Sequence, residues 1–135
     1  MSDTVEMVRQ VPLFAELDED ELTWVADLAS GFEVPAGSVL LERGQPGSGM
    51  FIITEGTVIV ELPRGPVELG PGEFVGELPL LADGVTRIAR VRAKTPVKGL
   101  AISRMAFREL LERQPRVAVG MLPVLARRLA EAETP

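Results

Sequence analysis

Between residues 31 and 99 the chain is broken repeatedly by tight-turn residues. They fall at Pro35-Ala36-Gly37, Gly47-Ser48-Gly49, Glu55-Gly56, Pro63-Arg64-Gly65-Pro66, Gly70-Pro71-Gly72 and Asp83-Gly84. The 13 glycines and 11 prolines concentrate there, and few segments between them are long enough for a stable helix. The segments that remain are short and apolar, with strand periodicity near 32–34, 38–42, 50–55, 57–61, 67–69, 87–93 and 97–103. Evenly spaced short strands joined by tight turns predict a mainly β fold, an antiparallel β-roll of the jelly-roll kind.

Helical spacing flanks this block. Residues 3–10 form a short helix that Pro12 ends. Asp18 and Glu21 stand in a capping-box arrangement ahead of Leu22, Val25, Ala26 and Ala29, which predicts a helix to about residue 29. Trp24 falls off that stripe and reads as helix packing at a partial surface. Ser103 caps a helix to about 113, and Pro115 suits the first turn of another. That last helix carries Ala118, Met121, Leu122, Leu125 and Leu129, widened by Val117 and Val124, with Pro123 expected to kink it. So wide an apolar stripe fits a second copy of the chain or packing on the chain's own roll. The expected organisation is one domain over 1–135, with a helical segment at 1–30, the roll at 31–103 and helices at 104–135.

Composition narrows the function. The 135 residues are 46% hydrophobic, enough for a real core. There is no histidine, cysteine or tyrosine, which removes imidazole acid–base pairs, thiol nucleophiles, disulfides and the common zinc sites. The Asp, Glu and Ser residues show no nucleophile–base spacing, so no enzyme is expected. A net charge of −6 lacks the footprint that nucleic-acid binding needs. Arg90, Arg92 and Lys94 make one small basic stripe, either a solvated strand face or a docking patch. With no secretory leader and no apolar run near eighteen residues, the expected location is the cytoplasm.

The chemistry gathers in one segment, 76–91. Gly76 and Glu77 stand at the expected start of a short helix, and Arg87 follows ten residues after Glu77, at the start of a strand. With period two, Arg87 shares a face with the small apolar Ala89, Val91 and Ala93, so a guanidinium leads an inward face. A charge goes inward when it is paired or when it holds a ligand. Helix N-termini attract anions, arginine offers two parallel donors to phosphate oxygens, and a carboxylate accepts from a sugar hydroxyl.

Gly76-Glu77-Leu78, the step to Arg87 and the run Val91-Arg92-Ala93-Lys94 resemble the phosphate-binding cassette of cyclic nucleotide-binding domains. The resemblance is nearest to the sensor domain of bacterial catabolite-activator (Crp/Fnr-type) regulators. Pro12-Leu13-Phe14, Gly37-Ser38-Val39-Leu40 with Gly44, Phe51-Ile52-Ile53 with Glu55-Gly56, and Ala126-Arg127-Arg128-Leu129 fall in that family's order, so the likeness covers about residues 10–130. It implies a regulatory sensor binding a cyclic nucleotide, cAMP first and cGMP second, and relaying it through the C-terminal helices. Under it, Gly76 lets the backbone approach the phosphate, and Glu77, followed by Leu78, holds the ribose hydroxyl. Arg87 neutralises the phosphate beside the N–H groups of Ile88 and Ala89, and Val60, Leu69 and Val75 wall the purine. No metal or other cofactor is implied.

Three departures stand against the family's pattern. Pro79 has no N–H to offer the phosphate, and Ile88 replaces a hydroxyl residue, worth about 0.5–1.5 kcal/mol as a hydrogen bond. Ala132 and Glu133 stand where catabolite activators offer hydroxyls to the base. The alternative they raise is a degenerate domain, with Glu77 and Arg87 paired to each other, serving dimerisation or protein docking. The family's transcription factors continue into a helix-turn-helix after this point. Without one, the expectation is a stand-alone sensor or a piece of a longer protein, with no DNA binding by this chain alone.

Overall fold

The computed structural model describes residues 3–45, 49–77 and 89–133. Helix α1 (Asp3–Arg9), a 3-10 turn at Pro12–Phe14 and α2 (Glu19–Leu28) come first. The strands are β1 (Ser30–Val34), β2 (Val39–Leu41), β3 (Gly49–Glu55), β4 (Val58–Leu62), β5 (Gly65–Leu69), β6 (Phe74–Val75), β7 (Arg90–Ala93) and β8 (Val97–Ser103). Helices α3 (Arg104–Arg113) and α4 (Pro115–Glu133) close the order. None of the described helices is long and apolar enough to cross a membrane.

Local chemistry sets the helix ends. Asp18 Oδ1 accepts from the Glu21 N–H at 2.8 Å while Glu21 Oε1 accepts from the Asp18 N–H at 2.9 Å. That reciprocal pair satisfies two donors that a helix start leaves orphaned. Ser103 Oγ accepts from the Ala106 N–H at 3.1 Å to open α3. Pro115 is the first residue of α4, and the helix runs on through Pro123 to Glu133. Trp24 is half-buried, with the Arg113 guanidinium 5.0 Å above its ring.

The strands form two four-stranded antiparallel sheets, ordered β1-β8-β3-β6 and β2-β7-β4-β5. Two details differ from the sequence reading. Strand β6 was not expected, because two residues are too few to show a period. Strand β5 begins at Gly65 and contains Pro66, so the β4–β5 turn is only Pro63-Arg64, with Leu62 opposite Gly65. Proline is tolerated there because β5 is an edge strand and its missing donor breaks no ladder.

The core has two parts. Met50, Ile52, Leu100 and Ile102 turn one face of β3 and β8 toward the helices, meeting Phe14, Val25, Phe107, Leu110 and Met121. On the other face, Ile53 and Val97 join Leu41, Val58, Val75, Val91 and Ala93 between the sheets. Strand β3 is buried on both faces, which is why Met50–Ile53 reads as a continuous apolar run. At Gly99 an added Cβ would lie 2.2 Å from the Ile52 carbonyl oxygen and 2.7 Å from the Phe32 ring, so only glycine lets β8 pass there.

On β7 the alternation holds over the described residues. Ala89, Val91 and Ala93 are buried, while Arg90, Arg92 and Lys94 face outward. Those three cations each meet a carboxylate: Arg90 with Glu42 at 3.0 Å, Arg92 with Glu61 at 3.0 Å and Lys94 with Glu68 at 2.7 Å. The basic stripe is neutralised in place, as a solvated strand face would be. The Arg90 guanidinium holds the Glu42 carboxyl below the usual carboxylate range.

Candidate functional site

A cleft of about 520 Å³ opens between the β2-β7-β4-β5 sheet, β6 and helix α4. Its floor is apolar, built by Leu41, Val60, Val67, Leu69, Val75 and Val91 from five strands. Period two explains the set, since alternate residues of β4 and β5 turn inward and bring Val60, Val67 and Leu69 onto one surface. The roof is α4, which contributes Val124, Leu125, Arg127, Arg128, Leu129 and Glu131.

Gly76 and Glu77 lie at the deep edge, directly after β6. Gly76 has φ +85°, a left-handed conformation that a side chain at this position would strain. It turns the chain so that Glu77 points inward, and Glu77 is only 4% exposed, the one charged residue in the buried class among the described residues. Arg128 Nη1 donates to Glu77 Oε1 at 3.1 Å. Its Nη2 donates to the Phe74 carbonyl at 2.7 Å, and its guanidinium carbon lies 4.7 Å from the Phe74 ring centroid. One arginine of the last helix thus grips the carboxylate, the backbone and the ring that lead into Gly76.

Of the residues expected at a site, Val60, Leu69, Val75, Gly76, Glu77 and Ala89 line this one cleft. Leu78, Arg87 and Ile88 lie outside the described residues, as does Pro79. The expected alternative pairing of Glu77 with Arg87 therefore falls outside them too. The carboxylate's described partner is Arg128.

Sequence reasoning missed Arg128, and with it Arg64, Arg127, Glu73 and Glu131. A signal for Arg128 existed. Val117, Met121, Val124 and Arg128 recur at helical spacing, and the first two are 1% exposed, so a charge occupies an inward position of an apolar stripe. The other cleft charges differ in their commitments. Glu73 Oε2 accepts from the Gly70 N–H at 2.8 Å and so holds its own turn. Arg64, Arg127 and Glu131 form no hydrogen bond or ion pair among the described residues. No group of three or more carboxylates among the described residues could hold a metal ion.

A β-roll whose inner cleft is apolar, roofed by a terminal helix and ended by a buried carboxylate defines a small-ligand-binding domain. Residues 32–114 match the sequence profile of the cyclic nucleotide-binding domain, and the chain belongs to that family. It is 40% identical over 113 residues to a cyclic nucleotide-gated potassium channel of Mesorhizobium japonicum, covering 84% of this chain and 31% of the channel. The catabolite activator protein of Thermus thermophilus superposes with a TM-score of 0.75 at 32% identity, over 90% of this chain and 60% of that one. The regulatory subunit of a cAMP-independent protein kinase A from Trypanosoma cruzi, solved bound to guanosine, gives 0.73 at 30% identity, over 87% and 42%. The chain spans less than two thirds of each of these relatives.

Proposed function

We propose that this chain is a regulatory sensor that binds a cyclic nucleotide, cAMP first and cGMP second, in the cleft under α4. The observation that carries the reading is Glu77, a carboxylate buried to 4% exposure at the end of an apolar cleft. A buried carboxylate is costly unless its oxygens are used. Arg128 occupies Oε1 at 3.1 Å, and a carboxylate has about four lone-pair sites, so it can also accept from a ribose hydroxyl. In this reading Gly76 brings backbone to the phosphate, Arg87 and the N–H groups of Ile88 and Ala89 neutralise it, and Leu78 follows the ribose-holding acid. Val60, Leu69 and Val75 cover the purine. The domain carries out no catalysis, takes no cofactor and works in the cytoplasm.

The relay runs through α4. Ligand seated beside Glu77 and under Val124 and Leu125 favours one position of this helix, and a helix moves only if the ligand binds its two positions differently. Val119, Leu122 and Leu129 are exposed on α4 and offer a second copy of the chain an apolar surface. A thermal-shift titration tests the reading: ligand at a hundred times its dissociation constant stabilises by about 2.7 kcal/mol. No shift at millimolar cAMP or cGMP, or a shift that Arg87→Ala leaves unchanged, refutes it.

A degenerate, ligand-free docking domain is the second reading, and Arg128 favours it. A guanidinium already fills part of Glu77's capacity, and a related regulatory subunit belongs to a protein kinase A described as cAMP-independent. The same titration separates the two.

A further inference from the structure

We infer that Arg64, in the turn between β4 and β5, is a second cation for the ligand's phosphate, acting from the sheet side of the cleft. The inference rests on the cyclic nucleotide reading above and adds to it a phosphate-facing residue outside the segment 76–91.

Register places the residue. Val60, Leu62 and Arg64 are alternate residues and all three line the cleft, so a guanidinium continues the inward set of β4 into the turn. Val60 stands opposite Val91 and Glu61 opposite Arg90, so the next step of this antiparallel pair brings Leu62 alongside Ala89. Ala89 lines the same cleft, and its N–H is one of those that face the phosphate in the proposed function. The turn is only Pro63-Arg64, with Leu62 opposite Gly65, and Gly65 takes φ +127° to complete it. So short a turn keeps Arg64 at the end of β4, on Ala89's side of the cleft.

Charge gives the residue its task. Among the described residues three cations line the cleft, Arg64, Arg127 and Arg128. Arg128 is committed to Glu77 and to the Phe74 carbonyl, and Arg127 rides on α4. Arg64 is the one that the sheet supplies, and it forms no hydrogen bond or ion pair among the described residues. On the outer face of the same sheet Arg90, Arg92 and Lys94 each have a carboxylate. The surroundings otherwise oppose an anion: the chain carries a net charge of −6, and Glu73, Glu77 and Glu131 line the cleft. A long cationic side chain can lay its stem on apolar surface and keep its head in water, so Arg64 meets an entering phosphate without first breaking a pair.

Calorimetric titration of the 135-residue chain with whichever of cAMP and cGMP binds tighter tests this at two salt concentrations, since the phosphate is the only charge either ligand carries at neutral pH. At about 50 mM salt, Arg64→Ala should weaken binding about fivefold, the upper end for an ion pair that keeps contact with water. At about 1 M salt the screening length falls to about 3 Å, and the difference should shrink below about twofold. Arg64→Lys should stay within about twofold of the parent at both concentrations, because it keeps the charge. Thermal unfolding of each variant checks that the exposed turn tolerates the change. Equal affinities of parent and Arg64→Ala at low salt, a loss that persists at high salt, or an Arg64→Lys variant as weak as Arg64→Ala overturns the inference and leaves the nucleotide reading intact. If the parent chain binds neither nucleotide, that reading fails and the inference falls with it.

Discussion

Two sets of ion pairs flank the same sheet, and they show how surroundings change what a pair does. On the outer face, Arg90, Arg92 and Lys94 meet Glu42, Glu61 and Glu68, and all six side chains remain substantially in water. On the inner side, Arg128 meets Glu77, whose side chain is 6% exposed while that of Arg128 is 29% exposed. The distances are nearly equal, 3.0 Å for Arg92–Glu61 and 3.1 Å for Arg128–Glu77. Outside, water screens the charges and takes over when a partner is removed. Inside, removing Arg128 takes away the donor on Glu77 Oε1 where little water can replace it, so the inner pair matters through the cost of breaking it.

The largest expected effect follows from that. Arg128→Ala should destabilise the domain by about 3 kcal/mol, the lower end for a broken buried pair because Arg128 keeps part of its side chain in water. Differential scanning calorimetry should register roughly a 10 °C fall in Tm. A change near that of an outer pair would erase the distinction. Replacing both partners, Glu77→Leu with Arg128→Leu, should restore most of the loss, to within about 1 kcal/mol of the parent, since no charge is left buried. Urea unfolding of the double variant would show it, and a loss larger than that of Arg128→Ala alone would contradict the account. Under the proposed function the double variant should also lose nucleotide affinity, because the ribose acceptor is gone.

On the outer face, Arg92→Ala should cost less than about 0.5 kcal/mol, and 1 M salt should remove most of that difference while leaving the effect of Arg128→Ala in place. The smallest effect concerns pH. The Glu42 carboxyl is held below its ordinary value of 4.5 by the hydrogen bond from Arg90. A folded-state value below the unfolded one means that this stabilisation is fully present above the unfolded pKa. It is lost as pH falls through the folded value. Stability measured from pH 6 down to pH 2 should therefore decline less steeply in Arg90→Ala than in the parent. An identical slope would show that this pair contributes nothing.

The fold was legible because its signals are local. Turn residues mark most strand ends, and both the Asp18–Glu21 box and the Ser103 cap are written in adjacent residues. Strand β6 escaped because Phe74 and Val75 are too few to show a period, and Pro66 concealed the start of β5 because edge position is a property of the sheet. The candidate site was legible in part. Gly76, Glu77 and Ala89, with the walls Val60, Leu69 and Val75, all reach one cleft. Glu77's partner was not legible, because Arg128 lies 51 positions away and no spacing rule connects the two.

By itself the sequence determined a punctuated β-roll between helices, the inward alternation of β7 and the segment that carries an acid and an arginine. All of these follow from periods and turns that each segment carries alone. Only the tertiary structure decided that the acid is buried, that α4 roofs it, that Arg128 holds it, and that Arg127 and Glu131 line the same cleft without an ion pair among the described residues. The reason is physical: burial and pairing depend on which distant surfaces meet, and folding brings α4 across the roll.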